Sequence, residues 1–148
     1  MLEVTSMKSI SKCSLVLAMI WTFAATALAS PADSALAALL KARASLVTLL
    51  DTSDAATQKS LEGEIRTASK EVDDSVKSAL ADKATPKDAA TKLKEFDGVW
   101  KDFKKTRDGE IIPAVKAGKV DAAKALAKGV QAERMGKMKE LLAAAGAK

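Results

Sequence analysis

The sequence contains no histidine and no tyrosine, and its 148 residues include one cysteine, three prolines and two tryptophans. Without histidine there is no imidazole for general acid–base work and no His-containing zinc site. The C-x-x-C-H attachment that anchors haem in four-helix cytochromes is excluded too. The one thiol, Cys13, lies in the amino-terminal apolar region, so the rest of the chain carries no disulfide. Neither a Gly-x-Ser-x-Gly elbow nor a Gly-rich phosphate loop occurs. Met135 and Met138 offer soft sulfur, but no His or Cys stands ready to complete a metal site. The chain is therefore read as a non-enzyme, with no catalytic residue, metal or cofactor assigned.

Charge of one sign is not concentrated either. Lys and Arg number 24 against 19 Asp and Glu, a net +5, but the two signs alternate along the chain and read as solvated helix faces. With no basic block and no aromatic stacking platform, nucleic acid is not an expected partner. What is present is 48% hydrophobic and 29% charged residues, with Ala and Leu dominating the apolar set. That balance belongs to one globular domain whose core comes from closely packed helices.

The first segment reads as an export signal. Lys8 and Lys12 form a basic region, Ser14 to Phe23 an apolar one, and Ala27-Leu28-Ala29 the small-x-small pattern of a peptidase site. Residues 1–29 are thus expected to be a signal peptide and Ser30 the new amino terminus, with Met7 an alternative start. An uncleaved anchor is the alternative, disfavoured because the apolar run is short for a membrane span. No second long apolar run follows, so the mature chain is expected to lack a transmembrane segment and to be periplasmic or secreted.

Residues 30–148 show helical periodicity throughout. A first helix, about Ala32 to Leu50, carries Leu36, Leu39, Leu40, Leu46, Val47, Leu49 and Leu50. A second, about Thr57 to Leu80, repeats Leu61, Ile65, Ala68, Val72, Val76 and Leu80. A third has Thr85 as N-cap and Pro86 at its first position. Its stripe is Leu93, Phe96, Trp100, Phe103, Arg107 and Ile111, and Pro113 should kink or loosen its last turn. Gly118 ends it as a C′ residue, and a fourth helix runs from about Val120 to Ala145. Four amphipathic helices joined by short turns predict an all-α, antiparallel up-down-up-down four-helix bundle.

The stretch Phe103-Lys-Lys-Thr-Arg-Asp-Gly-Glu-Ile-Ile-Pro113, with Ala117-Gly118-Lys119 and Gln131-Ala-Glu-Arg134, resembles the last two helices of a known family. This is the four-helix-bundle sensory domain of methyl-accepting chemotaxis receptors and related sensor kinases. The likeness covers roughly residues 36 to 142, with the first two helices matching by pattern alone. Receptors of that kind continue into a second membrane helix and a cytoplasmic signalling region, whereas this sequence stops at Lys148. The resemblance therefore implies a stand-alone sensory module that acts in signal transduction with a membrane partner.

The arginines are placed differently from the lysines. At 100° per residue, Arg43, Arg107 and Arg134 each fall within the apolar arc of their helix. Arg43 and Arg107 should share a level roughly 15 Å from one end of the bundle, with Arg134 about 9 Å deeper. Glu110 is the acidic residue nearest an inward position. Three inward arginines against one glutamate would leave positive charge for a small anion or carboxylate to answer. Arg43, Arg107, Arg134, Glu110 and Trp100 are the candidate ligand-binding residues. The competing reading is structural: the arginines snorkel between helices or pair with Glu110 and Glu133, and Trp100 with Phe96 and Phe103 is simply core. Gly129 and Gly136 are expected opposite Arg107 and Trp100, leaving room for those large side chains. Function thus stands between a periplasmic ligand-binding sensory module and a structural, interaction or chaperone-like bundle, either of which could be a homodimer.

Overall fold

A computed structural model describes residues 30–148; the signal-peptide expectation for residues 1–29 falls outside the described residues. Helix α1 (Pro31–Asp51) starts where Ser30 and Asp33 form a reciprocal capping box. The Asp33 N–H donates to Ser30 Oγ at 3.1 Å and the Ser30 N–H to Asp33 Oδ2 at 3.0 Å, which satisfies two otherwise orphaned donors. Helix α2 (Ala55–Ala81) is capped by Asp54, whose carboxylate accepts the Thr57 N–H at 2.7 Å.

Helix α3 (Lys87–Thr106) begins one residue later than the sequence suggests. Pro86 is its N-cap, and Thr85 does not cap it, because its hydroxyl turns back to donate to the Ala79 carbonyl at 2.6 Å. The loosening expected of Pro113 takes a definite form. Residues Arg107–Ile111 make a π-helical turn, with the Ile112 N–H reaching back to the Arg107 carbonyl, before a short α4 (Ile112–Lys116) finishes the third rod. A proline ring collides with the carbonyl four residues earlier in a regular helix, and a widened turn relieves that collision. Gly118, at φ +72°, closes the rod as expected. The Lys119 N–H bonds to the Ala114 carbonyl at 2.8 Å and the Gly118 N–H to Val115 at 2.9 Å, the Schellman pattern.

The fourth rod is not one helix. It breaks into α5 (Val120–Lys128) and α6 (Val130–Ala144) at Gly129, where ψ is −114°. A Cβ on Gly129 would lie 3.1 Å from the Ala125 carbonyl oxygen, so the glycine is needed for the break. Gly136 is exposed and a Cβ there meets nothing within 4 Å. The expectation that these two glycines make room for Arg107 and Trp100 is therefore corrected.

The four rods form an antiparallel up-down-up-down bundle in which each packs on its two neighbours. Helices α1 and α2 approach closely because their facing positions are small, among them Ala35, Ala38, Ala42 and Ala68. On the other side Phe96, Trp100 and Phe103 stack in sequence at centroid separations of 6.4 and 5.5 Å, all at or below 1% exposure. The apolar stripe of α1 is wider than the bundle covers. Leu40 and Val47, expected in the core, remain 46% and 41% exposed.

Candidate functional site

The inward stripe of the third rod carries the candidate residues, and the π turn sets their phase. By inserting an extra residue per turn it keeps Arg107, Ile111 and Val115 all buried at spacings of four. The same slower winding leaves Glu110 exposed, so the expected inward carboxylate is corrected: Glu110 faces outward and meets no arginine.

Arg107 is 2% exposed and fully engaged by protein. Its Nε and Nη2 donate to the two carboxylate oxygens of Asp108 at 2.7 and 3.0 Å, and Nη1 donates to Ser69 Oγ at 2.8 Å on α2. Its guanidinium carbon sits 5.7 Å from the Trp100 ring centroid. Lys104 Nζ lies 5.3 Å from the same centroid, and Asp73 on α2 accepts both Lys104 and the Trp100 indole N–H. Trp100 is thus a core residue whose ring is covered by cations and whose one polar atom is satisfied.

Arg43 and Arg134 meet only neutral groups. Arg134 Nη1 donates to the Asp102 carbonyl at 3.2 Å, Thr106 Oγ1 at 2.8 Å and Gln131 Oε1 at 3.2 Å. Gln131, itself fully buried, donates to the Phe103 carbonyl at 3.0 Å and so holds α6 against α3. Arg43 Nη2 makes one long bond, 3.4 Å, to the Ala127 carbonyl two residues before the break at Gly129. Its Nη1 is buried with no hydrogen-bond partner among the described residues. Burial pushes the Arg43 guanidinium below its ordinary pKa, because desolvation disfavours the charged form.

Contacts along the rods show how far the arginines converge. Ser69 bonds Arg107 while Ser45 bonds Glu64 across α1 and α2, which brings Arg43 and Arg107 to a common height. Arg134, reaching Asp102 and Thr106, lies about one turn further along. The three nonetheless serve different interfaces: Arg43 between α1 and α5, Arg107 toward α2, Arg134 between α6 and α3. Glu133, offered as a structural partner, is exposed and pairs with none of them.

Sequence reasoning missed Asp73, Ser69, Asp108 and the pair of Glu62 with Lys116, whose Nζ lies 2.8 Å from Glu62 Oε1. A signal existed for two of them: Ser69 and Glu62 each directly follow a residue of the apolar stripe of α2. Among the described residues no His, Cys, Asp and Glu group could hold a metal ion, and no helix is long and apolar enough to cross a membrane.

An all-α bundle of four antiparallel rods with buried guanidinium groups is the architecture of a sensory module. The family described as a four helix bundle sensory module for signal transduction matches residues 32–146. The chain belongs to that family. No curated protein and no solved structure shows significant similarity to it.

Proposed function

We propose that this protein is an exported sensory module that binds a small anion or carboxylate on its inner arginines and passes the event to a membrane partner. Export rests on the pattern of Lys8, Lys12 and Ala27-Leu28-Ala29. Protein recovered from the cell envelope then begins within about two residues of Ser30; recovery of membrane-bound chains that begin at Met1 or Met7 would overturn this part.

The observation that carries ligand binding is Arg43 Nη1, a buried guanidinium nitrogen without an acceptor, on an arginine with no carboxylate beside it. A buried charged donor left unmatched costs free energy that a bound anion restores, and the planar fork of arginine suits a carboxylate. A binding anion should stabilise the fold by about 2.7 kcal/mol at a hundred times its dissociation constant. Thermal shifts with carboxylates and inorganic anions, in wild type and Arg43→Gln, test it. The gain should vanish in the variant; wild-type shifts no larger than those of sodium chloride at equal ionic strength would sink the reading.

A structural role for α1 has its own support. Leu40 and Val47, two turns apart on one face, are the exposed large apolar residues of that helix. Two copies meeting there would form a homodimer, which Leu40→Glu should split in sedimentation equilibrium. A wild-type chain that is monomeric at high concentration would exclude it.

A further inference from the structure

A groove away from the three inner arginines runs along α2 to the π turn. One arm, about 680 Å³, is bordered by Lys59, Glu62, Gly63, Arg66 and Lys116. A second arm, about 370 Å³, continues past Ile112 and Pro113 to Asp108. Glu62, Arg66 and Lys116 border both, so the two arms are one depression, and each lies in the size range of small-ligand sites.

Two features of the sequence keep this depression open. Gly63 sits inside the long helix α2, where glycine costs about 1 kcal/mol relative to alanine, yet a Cβ there meets no atom within 4 Å. Packing does not require the glycine; its missing side chain leaves the wall of the groove low. At the far end Pro113 has forced the π turn, a feature frequent at functional sites.

The charges in the groove do not cancel. Glu62, nine-tenths buried, is held by Lys116 at 2.8 and 2.9 Å. Asp108 is taken by Arg107. Lys59 and Arg66 are left with no hydrogen bond or ion pair among the described residues, both bordering the same wall of α2. The arm beyond Arg66 is different in character: half-buried Ile112 and the ring of Pro113 offer apolar surface.

The geometry points to this groove as a binding site for a short aliphatic carboxylate. The guanidinium of Arg66 takes the carboxylate, Lys59 adds positive potential, and the hydrocarbon chain lies over Ile112 and Pro113. An inorganic anion satisfies the charge but leaves the apolar arm wet, so chain length is what the site selects. The site rests on the reading of the protein as a ligand-binding module, but not on Arg43.

The test is a titration of the full chain with butyrate, hexanoate and phosphate, followed by NMR at the Ile65 and Ile112 methyl groups and the Gly63 amide. Butyrate should move these signals, and hexanoate should bind tighter by up to about fourfold per methylene that becomes buried. Arg66→Gln should weaken butyrate by about tenfold or more, the scale of a lost charge-assisted hydrogen bond. Gly63→Met should block binding while leaving the melting temperature of the free protein equal or higher, since methionine is the better helix former. Arg43→Gln should leave butyrate binding intact. Unchanged affinity in Arg66→Gln and Gly63→Met, or phosphate binding as well as butyrate, would overturn the groove. Loss of binding in Arg43→Gln alone would overturn the groove and support the inner-arginine reading, and a chain that binds none of the three ligands overturns both.

Discussion

The indole N–H of Trp100 donates to Asp73 Oδ1 at 2.7 Å, and the same oxygen accepts Lys104 Nζ at 2.7 Å, so one carboxylate of α2 fastens the most buried aromatic of α3. A tryptophan can be fully buried only if its single donor is answered, and Asp73 answers it. The pair ties the aromatic stack to the α1–α2 half of the bundle at the height of Arg107.

Trp100→Ala is expected to destabilise the fold by about 3–5 kcal/mol, as a large side chain removed from a packed core. Asp73→Ala should cost about 1–3 kcal/mol by leaving the indole N–H unpaired. Urea denaturation measures both. In a Trp21→Phe background the native emission of Trp100 should be blue-shifted, and a solvent-like maximum would contradict the burial seen here.

Arg107→Ala should cost about 1–3 kcal/mol, through the lost bond to Ser69 and the lost contact with the Trp100 ring. The cost stays moderate because its carboxylate partner, Asp108, is 56% exposed and returns to water when the arginine goes. Arg107→Lys should recover little, since lysine cannot engage Asp108 and Ser69 together. A loss near 5 kcal/mol would mean that a buried acid had been stranded, which this arrangement excludes.

Asp33 predicts a pH dependence. Its carboxyl is held below the ordinary 3.8, first by the backbone N–H of Lys148 at 2.7 Å and then by the Ser30 hydroxyl and N–H. A carboxyl with a lowered folded pKa contributes stability that is present above the unfolded value and lost as pH falls through the folded one. The melting temperature of wild type should therefore exceed that of Asp33→Ala at pH 7, and the gap should narrow below pH 3.8. A gap that is constant from pH 7 to strongly acidic conditions would show that the carboxylate charge plays no part.

The glycines separate by conformation. Gly118→Ala should destabilise by about 1 kcal/mol, because φ is +72° there and a side chain strains that conformation. Gly129→Ala should also destabilise, as its Cβ would press on the Ala125 carbonyl. Gly136→Ala should instead stabilise by about 0.5–1 kcal/mol, being helical and open. Thermal melts of the three variants check the order, and a destabilised Gly136→Ala would refute it.

The number of rods, their antiparallel course, the aromatic stripe as core and the Gly118 cap were all legible in the chain. Each is a local matter: apolar spacing marks the buried face of one helix, and a glycine after a helical run marks its left-handed end. The inward position of Arg107 was legible for the same reason, and so was its height near Arg43.

What each guanidinium meets was not legible, because a partner depends on how two helices are rotated and shifted against one another. Glu110 shows this most directly. On an ideal helix it stands near the arc of Arg107, but the π turn ahead of Pro113 changes the winding and exposes it. Asp73, Ser69 and Asp108 then answer Trp100 and Arg107 from positions that periodicity alone does not join. The break at Gly129 and the unanswered Nη1 of Arg43 likewise exist only once α5 is set beside α1. Periodicity within a helix assigns its inner face, while the mutual packing of helices decides which charges are satisfied there and which remain for a ligand.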